Sequence, residues 1–293
     1  MSARRPARAA AALALLGLAS ASPAARPAAL AAQTLRTFTV ARQLHGETRL
    51  VTRLDYAAGT LRVRPGAAGD LYRMEVTYDE QRFRPVSAYD APSGTATLGL
   101  APLGGSGLRP PADPTTPQLA RLDLSPTADL ALDLTLGAVE GDIELGGLHV
   151  TSLAVSTGAS RTVLHFSAPN AARCSSATFN SGAAELVVVG LGNSRCDAIS
   201  FEGGMGRATL DFSGAWSASA RVAARMRVGE LTLRLPRSVG VRLTLDKFLS
   251  TFRPAGLTAR GTTYESANYA TAARRLDLAL TTAVGSIKVE WVD

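Results

Sequence analysis

Three acids alternate along one short stretch, Glu140, Asp142 and Glu144 in VEGDIEL (139–145). Residues two apart in a strand project from the same face, so the three carboxylates share a side opposite Ile143 and Leu145. Paired carboxylates are the working groups of glycoside hydrolysis, one protonating the leaving oxygen while the other attacks or activates water. Glu144 with His165 offers a second constellation, a carboxylate–imidazole dyad that can act as acid and base. Neither set comes with a nucleophile or a metal-ligand cluster, and His45 and His149 stand alone. No GxSxG, HExxH or phosphate-binding glycine loop occurs. The competing reading is a solvated outer strand face. We therefore expect no enzyme, no cofactor and no metal, and keep Glu140, Asp142, Glu144 and His165 as the residues of a carbohydrate-active alternative.

The elements that would position these groups are repeated. The segments 132–145, 153–166, 177–190, 199–212 and 222–235 align without gaps. Gly137, Gly158, Gly182 and Gly204 fall in one column and Arg227 takes the fifth place, with spacings of 21, 24, 22 and 23 residues. Three residues before that column stand Leu134, Val155, Phe179, Phe201 and Ala224; six after it stand Ile143, Leu164, Val188, Leu210 and Leu233. Each unit thus reads as two short strands with one face of each turned inward, and with the glycine at a turn where a positive φ is cheap. One unit cannot bury its apolar face alone, whereas stacked units can. The rival, an ordinary antiparallel sandwich, gives no reason for four glycines in register.

Cys174 and Cys196, the only two cysteines, occupy equivalent places in consecutive units. In a stacked coil such residues lie one strand spacing apart, about 4.8 Å, within reach of a disulfide; two buried free thiols are the alternative. No CxxC pattern supports a redox or zinc site. The same alignment places Glu144 beside His165 and Asp211 beside Arg234 as cross-strand pairs.

The N-terminus carries Arg4, Arg5 and Arg8, an apolar run from Ala9 to Ala19, and small residues after it. That order predicts a signal peptide over residues 1–32, cleaved after Ala21 or near Ala31, with no cysteine there for a lipid anchor. No later run reaches 18 apolar residues, so no stable membrane insertion is expected after cleavage. The net charge of +7 includes four arginines in residues 1–32; the remainder holds 27 basic against 24 acidic residues, too even a balance for a nucleic-acid partner. Residues 33–101 read as an N-terminal β-rich subdomain, 102–118 as a Gly/Pro-rich loop, 119–244 as the coils, and 245–293 as a cap with closing strands. Within the cap, LDKFLSTFR (245–253) has the spacing of a short amphipathic helix, and VGSIKV (284–289) echoes VGELTL (228–233) as another rung or an edge strand.

Several stretches resemble the bacterial toast-rack envelope proteins, the class that includes adhesin-like and LiaF-like proteins. They are YAAGTLRVRPG (56–66) with YRMEVTYDE (72–80), LDLTLGAVEGDIELGGLHVTSLAVSTGAS (132–160), LPRSVGVRLTL (235–245) and YESANYATAARRLDLALTTAVGSIKVEW (264–291). The resemblance implies an all-β, single-stranded right-handed β-solenoid without enzymatic activity, serving envelope sensing, adhesion or scaffolding. LiaF-like proteins attach this domain to N-terminal membrane helices, in place of which this chain has only the expected signal. The expectation is an exported protein, periplasmic or extracellular. Its coils, of about 22 residues, would bind another envelope protein or a cell-surface glycan, although aromatic residues at 5% of the chain do not favour a sugar-stacking platform. Self-association through an exposed solenoid edge is a third reading.

Overall fold

The structure is a computed structural model that describes residues 35–104 and 118–293. The expected signal peptide lies outside the described residues. Before residue 105 the strands are β1 (Leu35–Gln43), β2 (Arg49–Pro65), β3 (Asp70–Asp79), β4 (Phe83–Asp90) and β5 (Thr95–Pro102). After residue 117 come β6 (Leu119–Leu124), β7 (Asp129–Glu144), β8 (His149–Thr157), β9 (Arg161–His165), β10 (Cys174–Val189), β11 (Cys196–Asp211) and β12 (Ala220–Pro236). The last strands are β13 (Gly240–Arg253), β14 (Thr258–Arg260), β15 (Thr263–Glu265) and β16 (Arg275–Val292). All sixteen join one sheet, and no α-helix occurs among the described residues.

The rungs are long strands stacked parallel and in register. β7 pairs with β8 and β9, these with β10, then β11, then β12. On either side of its middle β10 buries Ala177, Phe179 and Ser181, then Ala184, Leu186 and Val188. β12 changes likewise from Val222, Ala224 and Met226 to Leu231, Leu233 and Leu235. A flat strand keeps one parity, so each rung is bent in the middle and an extra residue is absorbed at the corner. Both arms then face the same interior. The repeat unit is therefore one bent strand rather than two, interrupted only between β8 and β9 among these rungs.

The interior is built from columns of equivalent residues. Leu54, Leu134, Val155, Phe179, Phe201, Ala224, Leu280 and Leu245 stack through eight rungs, each no more than 5% exposed. Burial of a large apolar side chain of this kind is worth about 1.5–3 kcal/mol, and no single rung could supply it alone.

The glycine column is in place, but for a different reason from the one expected. Gly137, Gly158, Gly182 and Gly204 are not in the left-handed region. A Cβ on Gly182 would stand 2.9 Å from the Gly158 carbonyl oxygen, and one on Gly204 2.7 Å from that of Gly182. These positions are glycine because the corners approach closely. Positive φ occurs instead two residues further on, at Gly206, Gly229 and Gly285, which are themselves stacked in register.

Both ends depart from chain order. β2 lies directly on β7, with β5 and β6 beneath its two arms. β3 and β4 then close this end antiparallel, and β1 lies on β3. The expected boundary at 102–118 thus does not divide the sheet, and residues 35–101 share it with the later rungs. At the other end β16 is inserted between β12 and β13, pairing with both in parallel. VGSIKV belongs to a full rung, β16, with Val284 on Val228 and Gly285 on Gly229.

The expected helix at 245–253 is instead the second part of β13. Leu245 is buried at the end of one arm, Phe248 and Leu249 lie exposed on the corner, and Phe252 is half-buried on the next arm. The parity change at the bend reproduces the three- and four-residue spacing of an amphipathic helix.

Three buried hydroxyls, those of Thr52, Tyr56 and Thr157, have no hydrogen-bond partner among the described residues and work against stability. Burial pushes the pKa of the Tyr56 hydroxyl up. Tyr56→Phe is expected to raise the unfolding free energy by about 1 kcal/mol, read from urea denaturation; a loss would reveal a partner for the hydroxyl.

Candidate functional site

The three alternating acids lie on the outer face of the second arm of β7, where each occupies a column that runs across the sheet. Glu140 begins a ladder of strictly alternating charge through Arg161, Glu185, Arg207 and Glu230. Within it Arg161 Nε lies 3.2 Å from Glu185 Oε2. Such cross-strand pairs stabilise a sheet by about 0.2–1 kcal/mol each. Asp142 is paired with Arg64 of β2, whose Nη1 also donates to the Asp142 carbonyl at 2.9 Å.

Glu144 stands beside His165 in register, but its carboxylate is engaged elsewhere. Its Oε1 accepts the Gly146 amide at 2.6 Å and the Ser167 amide at 3.2 Å. Asp211, in the equivalent position of β11, makes the same kind of bond: its Oδ1 accepts the Ser213 amide at 2.8 Å. Both acids cap the turn that leaves the end of their rung. Asp211 also meets Arg234 at 3.7 Å, and Arg234 reaches Glu290 at 3.1 Å. Hydrogen bonds from Lys288 and then Arg234 hold the Glu290 carboxyl below its usual range.

The structure therefore brings Glu140, Asp142, Glu144 and His165 onto one outer face without converging them on a cleft. A hydrolytic pair must flank a bound sugar from two sides, whereas these acids extend side by side from a single strand. Among the described residues no group of three or more His, Cys, Asp or Glu is placed to hold a metal ion.

Cys174 and Cys196 form a disulfide between β10 and β11, at a Cα separation of 4.2 Å and with both residues buried. They are direct ladder partners. The turn beside them is fixed by a residue the repeat alignment does not single out, the wholly buried Asn170. Its Nδ2 donates to the carbonyls of Val150 at 2.7 Å and of Ala172 and Ser194 at 3.0 Å, and its Oδ1 accepts the Val150 amide at 2.8 Å. Asn193 is its backbone neighbour in the next coil. Its Nδ2 donates to the Phe166 carbonyl at 2.8 Å, and its own carbonyl accepts the Asn170 amide at 2.8 Å. The two asparagines stand four and three residues before the cysteines, in NAARC (170–174) and NSRC (193–196), so a fixed repeat offset does not single them out.

Replacing both cysteines by alanine is expected to lower stability by about 3 kcal/mol, as the loop-entropy model gives for a closed loop of this length. Thermal unfolding should show a lower midpoint, and reductant should shift the parent protein but not the variant. Identical shifts in both would mean that the bond contributes nothing.

No helix among the described residues is long and apolar enough to cross a membrane. No curated protein matches the chain. Solved structures similar to it include a "putative cell adhesion protein" from Clostridium sporogenes, 15% identical, with 88% of this chain and 100% of that one covered at a TM-score of 0.48. A "putative adhesin" from Bacteroides fragilis is 14% identical over 87% and 97% of the two chains, at 0.42. A "putative lipid binding protein" from Parabacteroides distasonis is 9% identical over 88% and 97%, at 0.35. The family model for the N-terminal domain of toast_rack, DUF2154, matches residues 31–189, more than half of the sequence. The chain belongs to the toast-rack family.

Proposed function

We propose that the protein is an exported, non-catalytic module of the cell envelope whose rigid stack binds another envelope protein or a cell-surface glycan. The observation that carries this reading is the shared role of Glu144 and Asp211. Each closes a turn by accepting a backbone amide from two residues ahead, so the acid best placed for catalysis has a purely architectural duplicate. The disulfide supports an oxidising compartment. The outer face of the second arm, with its ladder of alternating charge, suits a polar protein surface. The one large aromatic side chain strongly exposed among the described residues is Phe248, which disfavours a platform for sugar stacking.

The test is to incubate the purified protein with cell-surface polysaccharides, measure new reducing ends, and in parallel measure retention on isolated envelopes. We expect no cleavage, together with retention that survives Glu144→Ala and His165→Ala. Cleavage that disappears in those two variants would establish the carbohydrate-active alternative. Failure to recover the protein from the periplasm or medium, in cells making the full chain, would overturn export.

A further inference from the structure

The last rung of the stack leaves part of one edge open. On one side β13 pairs with β16 along most of its length. On the other, β15 takes only Arg242–Thr244, and the Leu245 amide goes to the Thr262 carbonyl. From Asp246 to Arg253 no strand covers that second side among the described residues. The segment, DKFLSTFR, includes the two most exposed large apolar side chains described, Phe248 at 78% and Leu249 at 66%. Leu249 also ends a row of exposed apolar residues, Met205, Val228 and Val284, that stand in register on successive corners.

Open edges are normally guarded by charges that project into the path of an incoming strand. Here the Lys247 ammonium is folded back onto its own strand, 3.2 Å from the Ser250 carbonyl. The exposed charges that remain sit at the two ends of the segment, Asp246 and Arg253, and neither has an ion-pair partner among the described residues. Arg253 lies beside Lys288, a like charge.

We propose that this edge is where two copies of the chain associate, β13 against β13, antiparallel about a two-fold axis. In such an interface residue i meets j and j meets i. With the axis between Leu249 and Ser250, Asp246 of each copy stands opposite Arg253 of the other, and both unpaired charges are matched at once. Phe248 and Leu249 gain cross-strand neighbours at the centre. A head-to-tail contact with β1 at the far end of the stack would leave Arg253 unmatched, since the only charges of β1 are Arg36 and Arg42, already paired with Glu80 and Glu47.

Sedimentation of the purified protein over about 1–100 μM, a span typical of modest association, tests the proposal. The mass should double and then level at two copies. Asp246→Arg and Arg253→Asp each turn two attractive pairs into repulsive ones, and each should weaken association about tenfold. The double variant D246R/R253D restores both pairs and should associate like the parent, which also shows that the exposed changes leave the fold intact. A monomer throughout, growth beyond two copies, or a double variant as weak as the singles would each overturn the proposal.

Discussion

Gly229→Ala should unfold the protein at markedly lower denaturant, with a loss on the order of 3–5 kcal/mol from a single added methyl. Two costs combine at this site. Gly229 has φ 133°, a conformation open to glycine and strained for any other residue, at about 1–3 kcal/mol. A Cβ there would also press on the Gly206 carbonyl oxygen of the preceding rung, far inside contact distance, and overpacking of that kind costs a further 1–3 kcal/mol. The backbone cannot retreat, because Gly285 of the next rung is stacked against Gly229 in the same way. Two other glycines separate the terms. Gly46 has φ 94° and open space around it, so Gly46→Ala should carry only the conformational cost. Gly69 has neither constraint, so Gly69→Ala should be neutral or slightly stabilising. Urea midpoints for the three variants decide the matter. If Gly229→Ala costs no more than Gly46→Ala, close stacking is not what fixes the corner.

That corner also explains why much of the stack was legible in the sequence and why its ends were not. Core residues fall three places before the glycine column and six after it, so the change of parity at the bend is written in the offsets. What the offsets do not carry is the cause, since a glycine kept for close approach and one kept for positive φ look alike. LDKFLSTFR misled for a related reason: a bent strand seen through its corner has two exposed apolar residues flanked by inward ones, which is the spacing of a helix face. The insertion of β16 between β12 and β13 is a long-range choice. It rests on matches such as Gly285 on Gly229 at the corner and Leu280 on Ala224 in the core column. An alignment of consecutive units cannot rank such matches against those that β13 would make in the same place.

The candidate site was legible as columns and not as chemistry. Register alone placed Glu144 beside His165 and Asp211 beside Arg234. It could not show that a carboxylate at the end of a rung turns to the backbone, because that depends on the path of the turn through Gly146 and Ser167. The turns vary in length and composition between coils, so their polar contacts leave no mark in the repeat.

Asn170 is the clearest of these omissions, and its replacement should rank with Gly229→Ala in effect. Asn170→Ala would strand the Val150 amide and remove the donor shared by three carbonyls, those of Val150 and Ser194 being buried. Stranding a buried polar group costs about 1–3 kcal/mol, and with several affected the expected loss is about 3 kcal/mol. Asn170→Asp is the sharper probe. It keeps an acceptor for the Val150 amide but turns a charged oxygen toward carbonyls that the amide nitrogen had served. At pH 7 this variant should be at least as unstable as Asn170→Ala. Its folded-state pKa would be raised above the unfolded value, because the charge is buried against acceptors. Protonation therefore favours the folded form: the deficit relative to the parent should be smallest below the unfolded pKa, near 3.9, and grow as pH rises through the folded one. Urea unfolding of parent and variants at pH 4 and pH 7 reads both effects. A loss below about 1 kcal/mol for Asn170→Ala would mean that the neighbouring coils are held by the ladders and the disulfide, with water able to serve the freed groups.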